Sequence, residues 1–279
     1  MSLTLGYLGP AGSNTEDAAI KYDSIVTRVP FDSINKVAKA VESGEVDEGI
    51  VPIENSLHGS VTDTVDMLIH DILLSIRQEL VLPIRHFLMV KPGTKLQDIR
   101  VVFSHPQALA QCNVYLSESL SSARPVASLS TSASVQDMLT SSIPAGALAT
   151  ERAAELYGAE IVHSSIQNDQ VNTTRFVVLS PHDHVPTGND KTSICFDFDA
   201  DSPGMLLSVL SEFANRDINL TKIESRPTRT NLGRYVFLVD FEGHRLDSKV
   251  EETLGLIDDQ VSMFKIFGSY PMSVSSSVV

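Results

Sequence analysis

Cations, cysteines and long apolar runs are all scarce in this chain. Its 21 Lys and Arg are outnumbered by 35 Asp and Glu, which gives a formal net charge of -14 over 279 residues. A surface of that sign repels phosphate backbones and anionic headgroups, so neither nucleic acid nor a membrane surface is expected as a partner. No run approaches the ~20 apolar residues of a membrane span, and the N-terminus lacks a basic region ahead of an apolar block. Membrane insertion and secretion are therefore unsupported. Only two cysteines occur, Cys112 and Cys195. Each falls in a segment that reads as buried, and their spacing fits neither a zinc nor a redox pair, which predicts free thiols in a cytoplasmic protein. No glycine-rich nucleotide loop stands out. His58, His86, His105, His163, His182 and His184 fall in no convincing ligand spacing, so no metal and no cofactor is expected.

What the chain does have is alternation. Short β-like runs (3–8, 25–29, 49–53) alternate with helical patterns that open near Thr15, Ser33 and Ser60; the last keeps Val61, Val65, Leu68 and Ile69 on one face. The run 73–90, interrupted by Pro83, looks like extended chain crossing between two lobes. A second series follows: strands at 100–103, 125–129, 146–149 and 161–165, with helices at 106–116, 132–139 and 151–157. Such alternation predicts mainly parallel sheets covered by helices, with a cleft between the lobes for a small ligand.

The breaker-rich stretch 181–190 has no periodicity and predicts a linker, assigned to 183–190, between a front domain over 1–182 and a second over 191–272. The second domain reads as βαββαβ, the ferredoxin-like order. Its first helix is expected to use Ser202 as N-cap and Pro203 in the first turn, with Leu206, Leu210 and Phe213 on one face. Residues 273–279 have the composition of a frayed tail.

Two short runs carry most of the functional signal. Asn172-Thr173-Thr174-Arg175-Phe176 places hydroxyls and a guanidinium where an apolar strand begins. Glu224-Ser225-Arg226-Pro227 lies in the second domain. Further blocks are Gly9-Pro10-Ala11-Gly12, Pro52-Ile53-Glu54-Asn55-Ser56 with Gly59-Ser60-Val61, and Ser104-His105-Pro106-Gln107-Ala108-Leu109 with Gln111-Cys112. Ser130-Thr131-Ser132-Ala133, Ile218-Asn219-Leu220 and Gly268-Ser269-Tyr270-Pro271 complete the set. In this order they resemble the prephenate dehydratases, through nearly the whole chain. Gly12-Ser13-Asn14 departs from the usual Gly-Thr-Phe or Gly-Thr-Tyr, keeping a hydroxyl and losing an aromatic contact. Met205 stands where Ala is common.

The resemblance implies an α/β protein: a two-lobed catalytic domain like a type II periplasmic binding protein, followed by an α+β ferredoxin-like ACT domain. It also implies conversion of prephenate to phenylpyruvate, carbon dioxide and water without a cofactor, regulated by phenylalanine. The expected assembly is a homodimer or homotetramer. The amino-terminal strand starts almost at once, so a fused helical chorismate mutase segment is not expected. Arogenate as substrate, and a non-catalytic amino-acid sensor, are the alternatives.

The resemblance puts Thr174 closest to the leaving hydroxyl. A threonine hydroxyl is a weak acid, so Thr174 is expected to orient and donate a hydrogen bond, with Glu54 as the candidate proton source if the cleft buries it. Substrate contacts are expected from Arg175 and from Ser13, Ser104, Thr131 and Ser132 at helix N-termini, with Asn55, Ser56, Gln111, Thr173 and Phe176. Each has a plainer alternative: Ser13, Ser104 and Ser132 taken singly are more often helix caps, and Arg175 a surface ion pair. Effector contacts carried over by resemblance are Gly204, Met205, Leu206, Asn219, Leu220, Glu224, Ser225, Arg226 and Pro227.

Overall fold

The computed structural model describes residues 3–169, 171–199, 202–228 and 234–273. All but the first residue of the expected tail lies outside the described residues. The first lobe contains β1 (Thr4–Leu8), α1 (Asn14–Tyr22), β2 (Thr27–Phe31), α2 (Ile34–Glu42), β3 (Glu48–Asn55), the short β4 (Gly59–Ser60), α3 (Thr62–His70) and β5 (Ser75–Pro83). The second contains β6 (Phe87–Val90), β7 (Val101–Ser104), α4 (Pro106–Gln111), α5 (Asn113–Ser119), β8 (Arg124–Ala127), α6 (Thr131–Thr140), β9 (Ala145–Ala149), α7 (Glu151–Tyr157) and β10 (Glu160–His163). The chain then returns to the first lobe as β11 (Thr173–Ser180), between β3 and β5.

The first sheet runs β2-β1-β3-β11-β5 and the second β10-β6-β9-β7-β8. Both are mixed rather than mainly parallel. The βαβ units give parallel pairs, but β11 enters antiparallel to β3 and β5, and β6 lies antiparallel to β9 and β10. A strand that returns after visiting another lobe is not a βαβ step, so alternation alone does not predict its direction.

Side-chain hydroxyls start the helices that matter. Ser13, Ser33, Ser130 and Thr150 each accept a backbone N–H from the first turn of α1, α2, α6 and α7. α2 then buries Ile34, Val37, Ala38 and Val41 against the first sheet; the Ile and Val side chains each contribute about 1.5–3 kcal/mol. The helix expected over 106–116 breaks in two at the fully buried Cys112, whose φ of -114° and ψ of 15° leave the helical region.

Two segments cross between the lobes side by side. One is 84–86 and the other includes 164–169 and 171–172, joined by Ile84 N–H to Asn172 O (2.8 Å) and Ile166 N–H to His86 O (3.0 Å). The loop after β1 also reaches over: Thr150 Oγ1 donates to Gly12 O at 2.7 Å, and Ser132 Oγ donates to Ala11 O. At φ +79°, a Cβ on Gly12 would meet Ser132 Oγ at 2.8 Å and Ala153 Cα at 3.0 Å, so this approach requires glycine.

The third sheet contains β12 (Asp190–Asp197), β13 (Leu220–Pro227), β14 (Tyr235–Glu242) and β15 (Met263–Pro271), in the order β13-β14-β12-β15, with α8 (Met205–Ala214) and α9 (Ser248–Asp258). Asp190, the last residue of the expected linker, already opens β12. Ser202 does not cap α8; the cap position is Gly204, at φ +92°. This sheet is seated on the first lobe. Gly268 of β15 approaches β5 so closely that a Cβ would lie 2.3 Å from Ile76 O.

Candidate active site

A cleft of about 380 Å³ opens between the lobes above the double crossover. Of the expected substrate contacts, it gathers Ser13, Asn55, Gln111, Thr131, Thr174 and Phe176 from widely separated parts of the chain. Thr174 is 9% exposed and is the second residue of β11, opposite Asn55 of β3.

The polarity of the cleft wall follows from two backbone contacts. Asn55 Oδ1 lies 3.0 Å from Leu57 N and 3.2 Å from His58 N. A backbone N–H can only donate, so this end of the amide is oxygen and the other is the amino group. Asn55 Nδ2 therefore donates to Asn172 Oδ1 (2.8 Å) and to Thr174 Oγ1 (2.9 Å), with Thr173 O at 3.1 Å. Thr174 Oγ1 is thus an acceptor toward Asn55, and its own hydrogen remains available to the cleft. Asn172 Nδ2 in turn faces Gln111 Oε1 at 3.3 Å, and His86 Nε2 meets the same oxygen at 2.8 Å. Burial holds the His86 imidazole below its ordinary pKa, against the opposing bond to Gln111. Burial thus favours the neutral ring.

Among the described residues that line the cleft none is Lys or Arg. Positive potential comes instead from the N-termini of α1, at Ser13–Thr15, and α6, at Ser130 and Thr131, which face it from opposite lobes.

Several expected contacts lie elsewhere, and each has a local reason. Ser104 Oγ, fully buried, donates to Leu148 O at 2.7 Å. Ser132 Oγ is used by Ala11 O across the lobes. Ser56 and Thr173 bond to each other, through Ser56 N–H to Thr173 O (2.9 Å) and Thr173 N–H to Ser56 Oγ (3.0 Å). Neither Glu54 nor Arg175 lines the cleft. Side chains alternate along a strand, so when Asn55 and Thr174 face one side their neighbours face the other.

That other side is the seam with the third sheet. Arg175 Nη1 lies 2.6 Å from Asp240 Oδ2 and 3.5 Å from Glu54 Oε2; Nε lies 2.7 Å from Glu79 Oε2, and Nη2 donates to Tyr270 OH at 2.7 Å. Lys191 also pairs with Glu79, at 3.0 Å. Burial pulls the Arg175 pKa down, but Tyr270, Asp240 and Glu79 outweigh it and keep the guanidinium charged. Burial likewise pushes Asp240 up, while Arg175 and the Ser193 hydroxyl hold it below the usual carboxylate range. Glu54, its side chain 34% exposed, also meets Lys222 Nζ at 3.3 Å. This is a salt-bridged surface site, not the buried cleft position that a proton source would need.

β13 continues the seam. Lys222 Nζ donates to Ser60 Oγ at 2.7 Å, Ser60 Oγ donates to Glu224, and Arg226 Nε pairs with Asp66 at 3.1 Å. Of the expected effector contacts, Glu224 and Arg226 therefore hold the first lobe, while Ser225 and Pro227 are exposed. Gly204, Met205 and Leu206 start α8, whereas Asn219 and Leu220 follow its far end; Asn219 Nδ2 donates to Glu242 Oε1 at 2.9 Å.

Asn172, His58, His86 and His105 are among the cleft residues that the sequence does not mark as contacts. Asn172 stood beside the Thr-Thr-Arg run, which was signal enough. The histidines have no metal-ligand spacing to mark them, and a lone buried histidine at a lobe crossing has no periodic signature.

Comparison with known proteins matches residues 5–184 to the family model described as prephenate dehydratase, and residues 200–255 to the ACT domain. A bifunctional chorismate mutase/prephenate dehydratase of Pseudomonas aeruginosa is 37% identical over 274 residues, covering 98% of this chain and 74% of that protein. The crystal structure of a prephenate dehydratase in complex with L-Phe, from Arthrobacter aurescens, superposes with a TM-score of 0.90 at 35% identity, covering 97% of this chain and 90% of that one. GqqA, described as a novel type of quorum quenching acylase, superposes with a TM-score of 0.86 at 27% identity, covering 97% and 98%.

Proposed function

The chain belongs to the prephenate dehydratase family, and from that premise we propose that its cleft converts prephenate to phenylpyruvate, with phenylalanine as the regulator. Prephenate carries a ring hydroxyl, a ring carboxylate and a second carboxylate on its pyruvyl arm. The bond to the ring carboxylate breaks, its electron pair enters the ring, and the hydroxyl leaves. The dianion takes up one proton and yields the phenylpyruvate monoanion, carbon dioxide and water. Aromatisation supplies the driving force, so the protein has to bind, orient and assist departure of the hydroxyl.

One observation carries this reading. Because Asn55 donates to Thr174 Oγ1, the threonine hydrogen is directed away from the protein and toward an acceptor in the cleft, where a departing hydroxyl gains charge. The facing N-termini of α1 and α6 suit the carboxylates, through backbone N–H groups and the helix dipoles. Amide and hydroxyl donors weaken less with salt than exposed cations do. The acylase description of one structural relative finds no support in this geometry: the partner of the Thr174 hydroxyl is an amide amino group, which cannot accept its proton to create a nucleophile.

Regulation follows from the third sheet. α8 has ten residues and so spans about 15 Å, with Gly204 at one end and Asn219 at the other. One phenylalanine does not reach both ends within a single chain. We therefore place the effector between two chains, which needs at least a homodimer; β13 supplies a sheet edge for that pairing. Cys112 and Cys195 are buried free thiols, in keeping with a cytoplasmic enzyme.

The test is direct: purified protein is incubated with prephenate or with arogenate, and phenylpyruvate is read by its absorbance in alkali, phenylalanine by amino-acid analysis. Phenylpyruvate formation from prephenate is expected. Turnover of arogenate alone would reassign the substrate, and turnover of neither would leave a non-catalytic sensor.

A further inference from the structure

We propose that His86 is a positioning residue for the cleft: it holds the Gln111 amide with its oxygen turned inward and its amino group turned to the substrate anion. The inference rests on the prephenate reading of the cleft. His86 is 3% exposed and lies in the first lobe crossing, its backbone N–H donating to Gln167 Oε1 at 3.0 Å.

The orientation is set from the Asn55 end. Working from the Leu57 amide, each group in the series Asn55, Asn172, Gln111 must present nitrogen to the next oxygen, which leaves Gln111 Oε1 facing inward. His86 Nε2, 2.8 Å from that oxygen, must then carry the proton. The neutral ring is therefore the Nε2–H tautomer, and Nδ1 is a bare acceptor. Among the described residues Nδ1 is buried with no hydrogen-bond partner. A site that needed only bulk would favour an apolar side chain over a ring with a buried unpaired nitrogen. The histidine is explained by the proton on its other nitrogen.

Its consequence is the sign of the cleft wall. With two donors on Oε1, Gln111 offers its amino hydrogens to a carboxylate or a leaving hydroxyl. With neither donor the amide is free to turn, and its oxygen would repel the same anion. His86 thus acts on substrate through Gln111.

Two measurements test this. Nitrogen-15 NMR of the histidine side chains in the wild-type protein should show one neutral ring protonated at Nε2 throughout the neutral range, whatever the substrate proves to be. An Nδ1–H tautomer or an imidazolium at His86 would overturn the proposal. Kinetics then follow on folded variants, checked by thermal unfolding. His86→Phe should lower kcat/KM for prephenate about tenfold, mainly through KM, the size of one lost hydrogen bond. His86→Gln, which can donate to the same oxygen, should recover to within about threefold. In a Gln111→Ala background, His86→Phe should add less than about a twofold change. Equal losses in both backgrounds, or no recovery by glutamine, would sink the positioning role. If the wild type leaves prephenate untouched, the substrate reading fails while the NMR result still decides the tautomer.

Discussion

The cleft and the seam are built from the same two strands, taken on alternate residues. On the cleft side Asn55 and Thr174 stand opposite each other; one residue along, Glu54 and Arg175 form the matching pair on the seam side. The first pair joins neutral amides and hydroxyls of fixed polarity, the second an ionised cluster. The difference teaches how an acidic protein divides its polar groups: Arg175 ties Glu54 and Glu79 of the first lobe to Asp240 of the third sheet, and the cleft keeps oriented neutral donors. Under the proposed function, neighbouring residues of one strand serve the cleft and the seam.

The largest expected break of this contrast is Arg175→Met. It leaves Asp240 and Glu79 buried without their common cation, and should destabilise the protein by about 3–5 kcal/mol in urea unfolding. Addition of Asp240→Asn should return part of that loss. An Arg175 variant of unchanged stability and lost substrate affinity would restore the guanidinium to the cleft. Next is Thr174→Ala, for which kcat should fall about 100-fold or more, while L-Phe affinity measured by calorimetry stays at the wild-type value. A parallel loss of L-Phe affinity would mean that the two faces are not separable.

Smaller effects sharpen the comparison. Asp240 and Glu224 both titrate below their ordinary range in the folded protein: burial pushes each up, but Arg175 and Ser193 for the one, and Ser60 and Lys222 for the other, prevail. Folded values below the unfolded ones mean that their stabilisation is complete above the unfolded pKa and is lost as pH falls through the folded values. The urea midpoint should thus drop on acidification below about pH 4, and a midpoint that rises there would contradict the seam. Smallest is Glu54→Gln. It should leave the pH dependence of kcat unchanged, since Glu54 faces Lys222 and Arg175, and alter only the response to L-Phe. A shifted acid limb would return Glu54 to proton transfer.

The two β/α lobes, the βαββαβ domain and the strand β11 were legible in the sequence because they rest on local patterns: apolar periodicity, hydroxyl caps and breaker runs. Strand direction was not, since β11 returns from the other lobe and pairs on both sides by tertiary packing. At the site, motif order pointed to Thr174, Asn55 and Gln111, which converge. It could not say which face each neighbour takes. Glu54 and Arg175 sit in the same motifs, but strand alternation sends them to the seam, a distinction that appears only once the cleft side is known. Ser104 and Ser132 carry hydroxyls that the lobes consume internally. His86 was invisible for the opposite reason: its partners, Gln111 and Gln167, come from distant segments.

The most direct measurement is a crystal structure of the slow Thr174→Ala variant with prephenate bound. The account predicts the ring hydroxyl beside position 174, the Gln111 amino group and the α1 and α6 N-termini on the substrate, and Arg175 still clamped to Asp240. A guanidinium swung out of the seam onto a substrate carboxylate would contradict it.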